Sequence, residues 1–234
     1  MIQILRLAFR KNSWLMNKNC EAQVTIDGPA ATGKTTVGKL LADQLGWSFL
    51  DTGMMYRAAT KLLLDSGIDL SDKEAMIDKI NESEINLVYS GIDTRFLVNG
   101  FDITDHLREN EVESKVSIVS KVVAIRESMV LSQRSIAARS SIVMVGRDIG
   151  TVVLPDAKNK IYLDASPKVR ARRRLKEIKN KSLEEVTKDI IKRDKIDSRR
   201  SHAPLIVPDG AYKIDTDYLS IDEVIHKIIG YINS

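Results

Sequence analysis

The chain has 234 residues, 43% of them hydrophobic, which is enough for one domain with insertions around an apolar core. Lysine and arginine number 36 against 32 aspartates and glutamates, and the net charge of +4 favours an anionic partner, either nucleotide or nucleic acid. The single cysteine, Cys20, excludes an internal disulfide, and no apolar run approaches the roughly 18 residues of a membrane span, so we expect a cytoplasmic protein without membrane partners.

Residues 1–22 differ from the rest of the chain, because basic residues alternate with apolar ones before the first acid, Glu21. A targeting or membrane-surface helix could have this composition. The segment lacks a small-residue cleavage site, and Met16 could begin a chain that holds everything the fold needs. We therefore interpret residues 1–22 as a mobile N-terminal extension.

A phosphate-binding loop is predicted next. Residues 28–35 read Gly-Pro-Ala-Ala-Thr-Gly-Lys-Thr, which fits Gly-x-x-x-x-Gly-Lys-Ser/Thr, between a hydrophobic run at 24–26 and helically spaced apolar residues from Val37. Backbone N–H groups of such a loop surround a polyphosphate, its lysine reaches the outer phosphates, and a following hydroxyl holds Mg²⁺. The predicted ATP-binding residues are Gly28, Pro29, Ala30, Ala31, Thr32, Gly33, Lys34, Thr35 and Thr36, with Thr35 or Thr36 as the metal ligand.

Short β-like runs then alternate with helical stretches, which predicts an α/β fold with a parallel sheet. With the run at 24–26, the strands are expected at 47–50, 141–145, 160–163 and 211–214. Each of these four runs is followed by polar residues such as Asp51-Thr52-Gly53 and Gly146-Arg147-Asp148. Because ligands bind beyond the carboxyl ends of parallel strands, we expect these polar residues to face one cleft with the phosphate loop.

Two segments interrupt the alternation. Residues 85–107 read as short strands joined by glycine turns, which predicts a small antiparallel insertion. Residues 166–181 predict a helix that begins with Ser166 as N-cap and Pro167 at its first position, and that carries four arginines between 170 and 174. Capping boxes at Ser182 and Ser220 predict the starts of two further helices.

Charged residues in this second segment suit phosphate chemistry. If the helix after Ser182 continues, Arg193, Asp197 and Arg200 share one face, and two arginines beside an acid can orient toward a phosphate while the acid meets a sugar hydroxyl. A solvated, salt-bridged helix face is the alternative. The arginines at 170–174 could likewise be an exposed face, a nucleic-acid patch, or a set that closes over a polyphosphate.

Seven motifs together resemble the bacterial cytidylate kinases, within the nucleoside monophosphate kinase family of P-loop proteins, from about residue 24 to the C-terminus. They are Ile26-Asp-Gly-Pro, Gly33-Lys-Thr, Leu50-Asp-Thr-Gly-x-x-Tyr56-Arg57, Gly146-Arg-Asp-Ile-Gly-Thr-Val-Val153, Leu163-Asp-Ala-Ser166, Arg193-Asp-x-x-Asp197 and Arg200-x-x-x-Pro204-Leu. The resemblance implies phosphoryl transfer from ATP, with Mg²⁺, to CMP or dCMP. It also implies a P-loop kinase core with a five-stranded parallel sheet (23–77, 119–165, 202–234), an antiparallel monophosphate-binding insertion (about 78–118) and a mobile helical lid (about 166–201), in a protein we expect to be a monomer.

Site residues follow from the resemblance, position by position. Thr52, Tyr56, Arg57, Arg147 and Arg200 would surround the acceptor phosphate and sugar, Arg193 and Asp197 would reach phosphate and ribose, and Ser117, Arg126 and Asp148 would recognise cytosine. The predicted catalytic residues are Lys34, Arg147, Arg170, Arg174 and Arg193. Thr52 stands where the family commonly has serine, and Thr35 where many members have glycine, so the residue that faces Mg²⁺ stays open.

Two alternatives remain from the sequence. A kinase for another small acceptor, such as UMP or AMP, has the same residue spacing. A nucleotide-dependent nucleic-acid binder would fit the basic charge, but aromatic residues make up only 5% of the chain and are not interleaved with the arginines at 170–174 as stacking platforms would require, so we expect no nucleic-acid partner.

Overall fold

The strands form two sheets in the computed structural model, which describes residues 3–6, 22–90, 92–178, 181–200 and 202–234. The strands are β1 (Gln3–Arg6), β2 (Gln23–Asp27), β3 (Ser48–Asp51), β4 (Ile85–Ser90), β5 (Asp93–Val98), β6 (Phe101–Asp102), β7 (Ile142–Val145), β8 (Asn159–Asp164) and β9 (Tyr212–Asp215). One sheet has the order β3-β7-β2-β8-β9, with β2–β8 and β8–β9 paired in parallel, and the other has the antiparallel order β1-β4-β5-β6. The predicted five-stranded parallel sheet and separate small antiparallel sheet are confirmed.

The helices are α1 (Lys34–Leu45), α2 (Thr52–Asp65), α3 (Lys73–Glu82), α4 (Asn110–Val119), α5 (Val123–Ala137), α6 (Pro167–Leu175), α7 (Leu183–Ser198) and α8 (Ile221–Ile232). A short 3₁₀ helix spans Thr104–Arg108 and a π-helical turn spans Ile149–Val153. The predicted N-cap at Ser166 accepts from Val169 N, and both predicted capping boxes, at Ser182 and Ser220, are formed.

Two helix ends differ from the prediction. The helix expected over 166–181 ends at Leu175, where Lys176 N and Glu177 N donate to the carbonyls three residues earlier, a tight closing turn. Helix α7 ends at Ser198, so Arg200 lies beyond the helix rather than on its face. Capping residues located the starts of these two helices, but the sequence did not locate their last turns.

The chain divides into two compact units. The first comprises residues 1–22 and 47–142, of which 3–6 and 22 are described in its N-terminal part, and its buried core includes Met55, Leu63 and Val112. In this unit β1 pairs with β4, a strand that the sequence analysis did not predict, and the rest of the predicted extension, residues 1–2 and 7–21, lies outside the described residues.

The second unit comprises residues 23–46 and 143–234, and it contains the phosphate loop, α6 and α7. Its strands β2 and β8 are buried through Ile26, Ile161 and Leu163. A smaller apolar cluster, formed by Ala171, Val186 and Ile190, joins α6 to α7. No helix in the described ranges is long and apolar enough to cross a membrane.

Candidate nucleotide-binding site

The phosphate loop connects the end of β2 to the start of α1. Gly28 has φ of +146°, and a Cβ there would lie 2.1 Å from the Leu163 carbonyl oxygen of the adjacent strand β8. Only glycine fits this position, because both the backbone conformation and the missing space exclude a side chain. Lys34, the first residue of α1, is 7% exposed, and its Nζ donates to Pro29 O at 2.6 Å and to Thr32 Oγ1 at 3.3 Å. The ammonium group therefore lies against its own loop.

Arg173 of α6 ties the loop to the ends of β8 and β9. Its Nη1 donates to Thr216 Oγ1 at 2.9 Å and to Thr32 O at 3.4 Å, and its Nη2 donates to Thr216 O at 2.6 Å. Thr216 N in turn donates to Asp164 O at 2.9 Å. The carboxyl ends of these strands and the phosphate loop thus meet within this unit, as parallel-sheet topology predicts.

Arg170 is buried, with 3% of the residue exposed, and it spans three segments. Its Nε donates to Ala165 O at 2.9 Å, its Nη1 to Ala30 O of the phosphate loop at 3.2 Å, and its two Nη atoms to the two carboxylate oxygens of Asp194 at 3.2 and 2.7 Å. Four of the roughly five donors of a guanidinium are used in this way. The side chain fixes α7 and α6 to the loop.

Asp197 lies between two arginines. Its Oδ2 accepts from Arg147 Nε at 3.0 Å and its Oδ1 accepts from Arg200 Nη2, although Arg200 lies past the end of α7. Burial to 1% exposure acts to raise the pKa of the Asp197 carboxyl, but the positive charges of Arg147, Arg200 and Arg193 outweigh burial and lower the pKa. Asp197 is therefore flanked by Arg147 and Arg200 rather than by the predicted helix-face pair of Arg193 and Arg200, and it is ionised at neutral pH.

The segment that carries Arg147 and Asp148 follows β7 directly. Gly146 N donates to Ile26 O at 3.0 Å, and Ile149 N and Gly150 N donate to the two carboxylate oxygens of Asp27 at 2.8 and 2.7 Å. Asp27 is 0% exposed and Asp148 is 6% exposed. Burial raises the pKa of Asp27 to about 6, opposed by the two backbone hydrogen bonds and by the charge of Lys34.

Five of the predicted acceptor residues lie in the first unit. Arg57 Nη2 donates to Glu113 Oε1 of α4 at 2.9 Å, with both side chains 15% exposed. The Arg126 guanidinium lies 5.5 Å from the Tyr56 ring centroid and donates to Ser120 O at 3.2 Å. Thr52, 3% exposed, begins α2, and Ser117 lies three residues before Ser120 on α4, where Ser120 Oγ donates to Ser117 O at 3.4 Å.

The remaining predicted residues are distributed along α1, α6 and α7 of the second unit. Thr35 is half-buried and Thr36 exposed in the first turn of α1, so hydroxyl oxygens suited to a hard cation follow Lys34 directly. Among the residues with described positions, no group of three or more His, Cys, Asp or Glu side chains could hold a metal ion. Arg174 pairs with Glu177, and Arg193 contributes to lowering the Asp197 pKa.

Sequence reasoning missed three residues that organise these side chains, namely Asp27, Glu113 and Asp194. Asp27 and Asp194 fall inside quoted motifs, Ile26-Asp-Gly-Pro and Arg193-Asp-x-x-Asp197, which is the one signal that could have identified them. Glu113 offers no such signal. Arg173 was included only as one of four clustered arginines.

Comparison with known proteins is consistent with this geometry. The family model described as cytidylate kinase matches residues 24–234. A cytidylate kinase from Caldanaerobacter subterraneus subsp. tengcongensis is 44% identical over 214 residues, covering 90% of this chain and 94% of the relative, and one from Shouchella clausii is 46% identical over 210 residues, covering 88% and 93%. Among solved structures, a shikimate kinase from Bacteroides thetaiotaomicron has a TM-score of 0.50 at 14% identity, covering 91% of this chain and 99% of that one, which is a likeness of fold alone.

Proposed function

The chain belongs to the cytidylate kinase family, and we propose on this basis that it transfers the terminal phosphoryl group of ATP to CMP or dCMP, giving ADP and CDP or dCDP. One observation supports the proposal most directly. The last two residues of β2, Ile26 and Asp27, accept hydrogen bonds from the segment 146–150 and lead directly into the phosphate loop. One strand end therefore positions a polyphosphate-binding loop and the arginine and aspartate that the resemblance assigns to the acceptor.

In this proposal the phosphate loop binds ATP through its backbone N–H groups and through Lys34. The lysine would leave Pro29 O for the phosphates, because an anionic oxygen is a stronger acceptor than a neutral carbonyl. Arg147, Arg174 and Arg193 would neutralise charge on the transferred group, since phosphoryl transfer depends mainly on positioning and electrostatic stabilisation. The catalytic role of Arg170 stays a prediction, whereas its contacts with Ala165, Ala30 and Asp194 support an anchoring role.

The acceptor side is assigned by the same resemblance. Arg57, Arg147 and Arg200 are proposed for the CMP phosphate, with Thr52 and Tyr56 beside them, and Asp197 for the ribose. Ser117, Arg126 and Asp148 are proposed for cytosine, because a carboxylate accepts from the exocyclic amine and a guanidinium donates to the ring acceptors. The ion pairs of Arg57 with Glu113 and of Arg147 with Asp197 fix where these two guanidinium groups lie.

Mg²⁺ would accompany ATP, held by the hydroxyl of Thr35 or Thr36 together with phosphate oxygens. When bound, it supplies positive charge to the phosphates during transfer. The hydroxyl groups of Thr35 and Thr36 in the first turn of α1 fit this ion, because Mg²⁺ is a hard cation that takes oxygen ligands and keeps phosphates and water in its shell. The cytoplasmic location and the monomeric state predicted from the sequence stay predictions.

A single assay tests the function. We expect ADP formation from ATP and Mg²⁺ to depend on added CMP or dCMP, with UMP and AMP much poorer. Equal rates with UMP or AMP would move the assignment to another acceptor. ADP formation stimulated by RNA or DNA, and not by CMP, would favour the nucleic-acid binder, which has less support because Arg170 and Arg173 are already bonded to protein groups.

A further inference from the structure

Two adjacent residues of β2 fasten both ends of the segment 146–150. Ile26 accepts from Gly146 N through its backbone carbonyl, and Asp27 accepts from Ile149 N and Gly150 N through its side chain. Arg147 and Asp148 lie between these two attachments. Since Asp27 directly precedes Gly28, the carboxylate that holds one end of the segment is also covalently joined to the phosphate loop.

Gly150 packs tightly against the same strand. A Cβ at this position would lie 3.0 Å from Thr25 Oγ1 of β2 and 3.0 Å from Pro208 Cγ. The π-helical turn Ile149–Val153, which includes Gly150, starts with the two N–H groups that donate to the Asp27 carboxylate. Within it, Val152 N and Val153 N donate to Asp148 O at 2.9 and 3.2 Å. The backbone on both sides of Asp148 is therefore held in place. The Asp27 carboxylate is the charged group that holds it.

We propose that Asp27 is a positioning residue for the acceptor, whose ionised carboxylate sets the segment 146–150 against the phosphate loop so that Arg147 and Asp148 meet CMP. This inference rests on the proposed function. A carboxylate can accept from both N–H groups at once, whereas a protonated carboxyl carries an O–H that would face one of them. The competent form is the ionised one.

Among the residues that the structure describes, charged and titratable groups that act on Asp27 lie on α1, on the segment 146–150 and on β8. Lys34 of α1 stabilises the ionised carboxyl, while Asp148 of the adjoining segment opposes ionisation. Tyr162 of β8 interacts electrostatically with Asp27 and has its own pKa raised by burial, so it is neutral in the range considered. With a pKa of about 6, the Asp27 carboxyl changes charge within the range in which enzymes are commonly assayed.

Asp27→Asn is the direct test, because asparagine has the shape of the protonated acid and keeps one acceptor oxygen. The quantity to measure is KM for CMP in wild type and variant between about pH 5 and pH 8, since KM does not depend on the folded fraction. The CMP phosphate also titrates near pH 6, but this effect is common to both enzymes and cancels in the ratio of their KM values.

At pH 8 we expect the KM of Asp27→Asn for CMP to exceed that of wild type on the order of tenfold, which corresponds to the loss of one charged hydrogen bond. At pH 5 the two KM values should be similar, because the wild-type carboxyl is then protonated. The control is Val24→Ala, which removes buried methyl groups from the same strand and should leave KM unchanged. A KM ratio near one at pH 8, or a ratio that stays constant with pH, would overturn the proposal.

A second measurement, made on the wild-type protein, tests the proposal even if Asp27→Asn does not fold. It does not require enzymatic activity. In wild type, the amide proton shifts of Ile149 and Gly150, followed by NMR, should titrate with a shared midpoint near the pKa of Asp27. Constant shifts over the same range would also overturn the proposal. A wild-type protein that shows this titration but forms no ADP with CMP would instead refute the proposed function, so the two failures are distinguishable.

Discussion

Removal of the Asp194 carboxylate should destabilise the second unit strongly. In Asp194→Ala, the Arg170 guanidinium, whose side chain is 4% exposed, loses the bonds at 3.2 and 2.7 Å and keeps only the carbonyls of Ala165 and Ala30. Breaking a buried pair by deletion of one partner costs about 3–5 kcal/mol. The Asp194 side chain is 23% exposed, so solvent screening favours the lower end of that range, about 3 kcal/mol.

The assay is urea unfolding followed by circular dichroism, with the melting temperature as a second measure. For a chain of this size, about 3 kcal/mol corresponds to a decrease of roughly 6–12 °C. The matched control is Lys188→Ala, which breaks the pair between Lys188 and Glu184 on the same helix, where the side chains are 74% and 78% exposed. That change should alter the unfolding free energy by about 0–1 kcal/mol. Equal stability of Asp194→Ala and wild type would refute the anchoring argument.

Comparison of Asp194→Ala with Arg170→Met distinguishes an anchoring role of Arg170 from a catalytic one. If Arg170 acts only by holding α7, Arg170→Met and Asp194→Ala should lower kcat by similar factors, and the double variant should be little worse than either, because both remove one link. If Arg170 also contacts the transferred phosphoryl group, kcat of Arg170→Met should fall roughly a hundredfold further. We expect the first result, because four of its donors already bind protein groups.

Three further predictions concern single side chains. Lys34→Met should lower kcat about 10²-fold or more without unfolding the protein, since it removes an electrostatic contact to the phosphates, and an unchanged kcat in a folded variant would contradict the phosphate-loop assignment. Asp148→Asn should narrow the CMP-to-UMP preference through a roughly 10- to 150-fold loss of kcat/KM on CMP, and an equal loss on both nucleotides would argue against base recognition. Because the pKa of Asp27 is raised from 3.8 to about 6 in the folded protein, its protonation stabilises the fold: this contribution, up to about 3 kcal/mol, is complete below pH 3.8 and is lost as pH rises through 6. Unfolding free energies measured from pH 4 to pH 7.5 should show that loss in wild type and not in Asp27→Asn, and parallel pH profiles would contradict it.

The opposite pH dependence expected for Asp27 in stability and in function is itself informative. The protonated form fits the buried position better, but the ionised form satisfies both N–H groups of the segment 146–150. Functional residues commonly lower the free energy of unfolding in the protonation state that supports activity, because function requires a particular geometry rather than the most stable packing. Asp197 shows the reverse case, because its arginine neighbours lower its pKa and so its ionised state adds stability at neutral pH.

Local sequence determined the type of many elements of this protein and the identity of its phosphate loop. The strand–loop–helix around Gly28, the capping boxes at Ser182 and Ser220 and the alternation of strands with helices all depend on neighbours a few residues apart, so they can be read without coordinates. The motifs also predicted that Arg147 and Asp197 belong to one site. Helix ends were predicted less well, because the closing turn after Leu175 leaves no distinctive residue pattern.

Only the tertiary structure decided which charges are free to meet a ligand and which are already bonded. Asp27 reaches Ile149 and Gly150 across 122 and 123 residues of sequence, and Arg170 reaches Ala30 across 140. Parallel strands bring these segments together at one sheet edge, while periodicity and capping carry information over a turn or two of chain. Burial of a carboxyl, and therefore its pKa, is likewise a property of the packed fold. For this reason the sequence included Asp27 in a motif but did not predict its role.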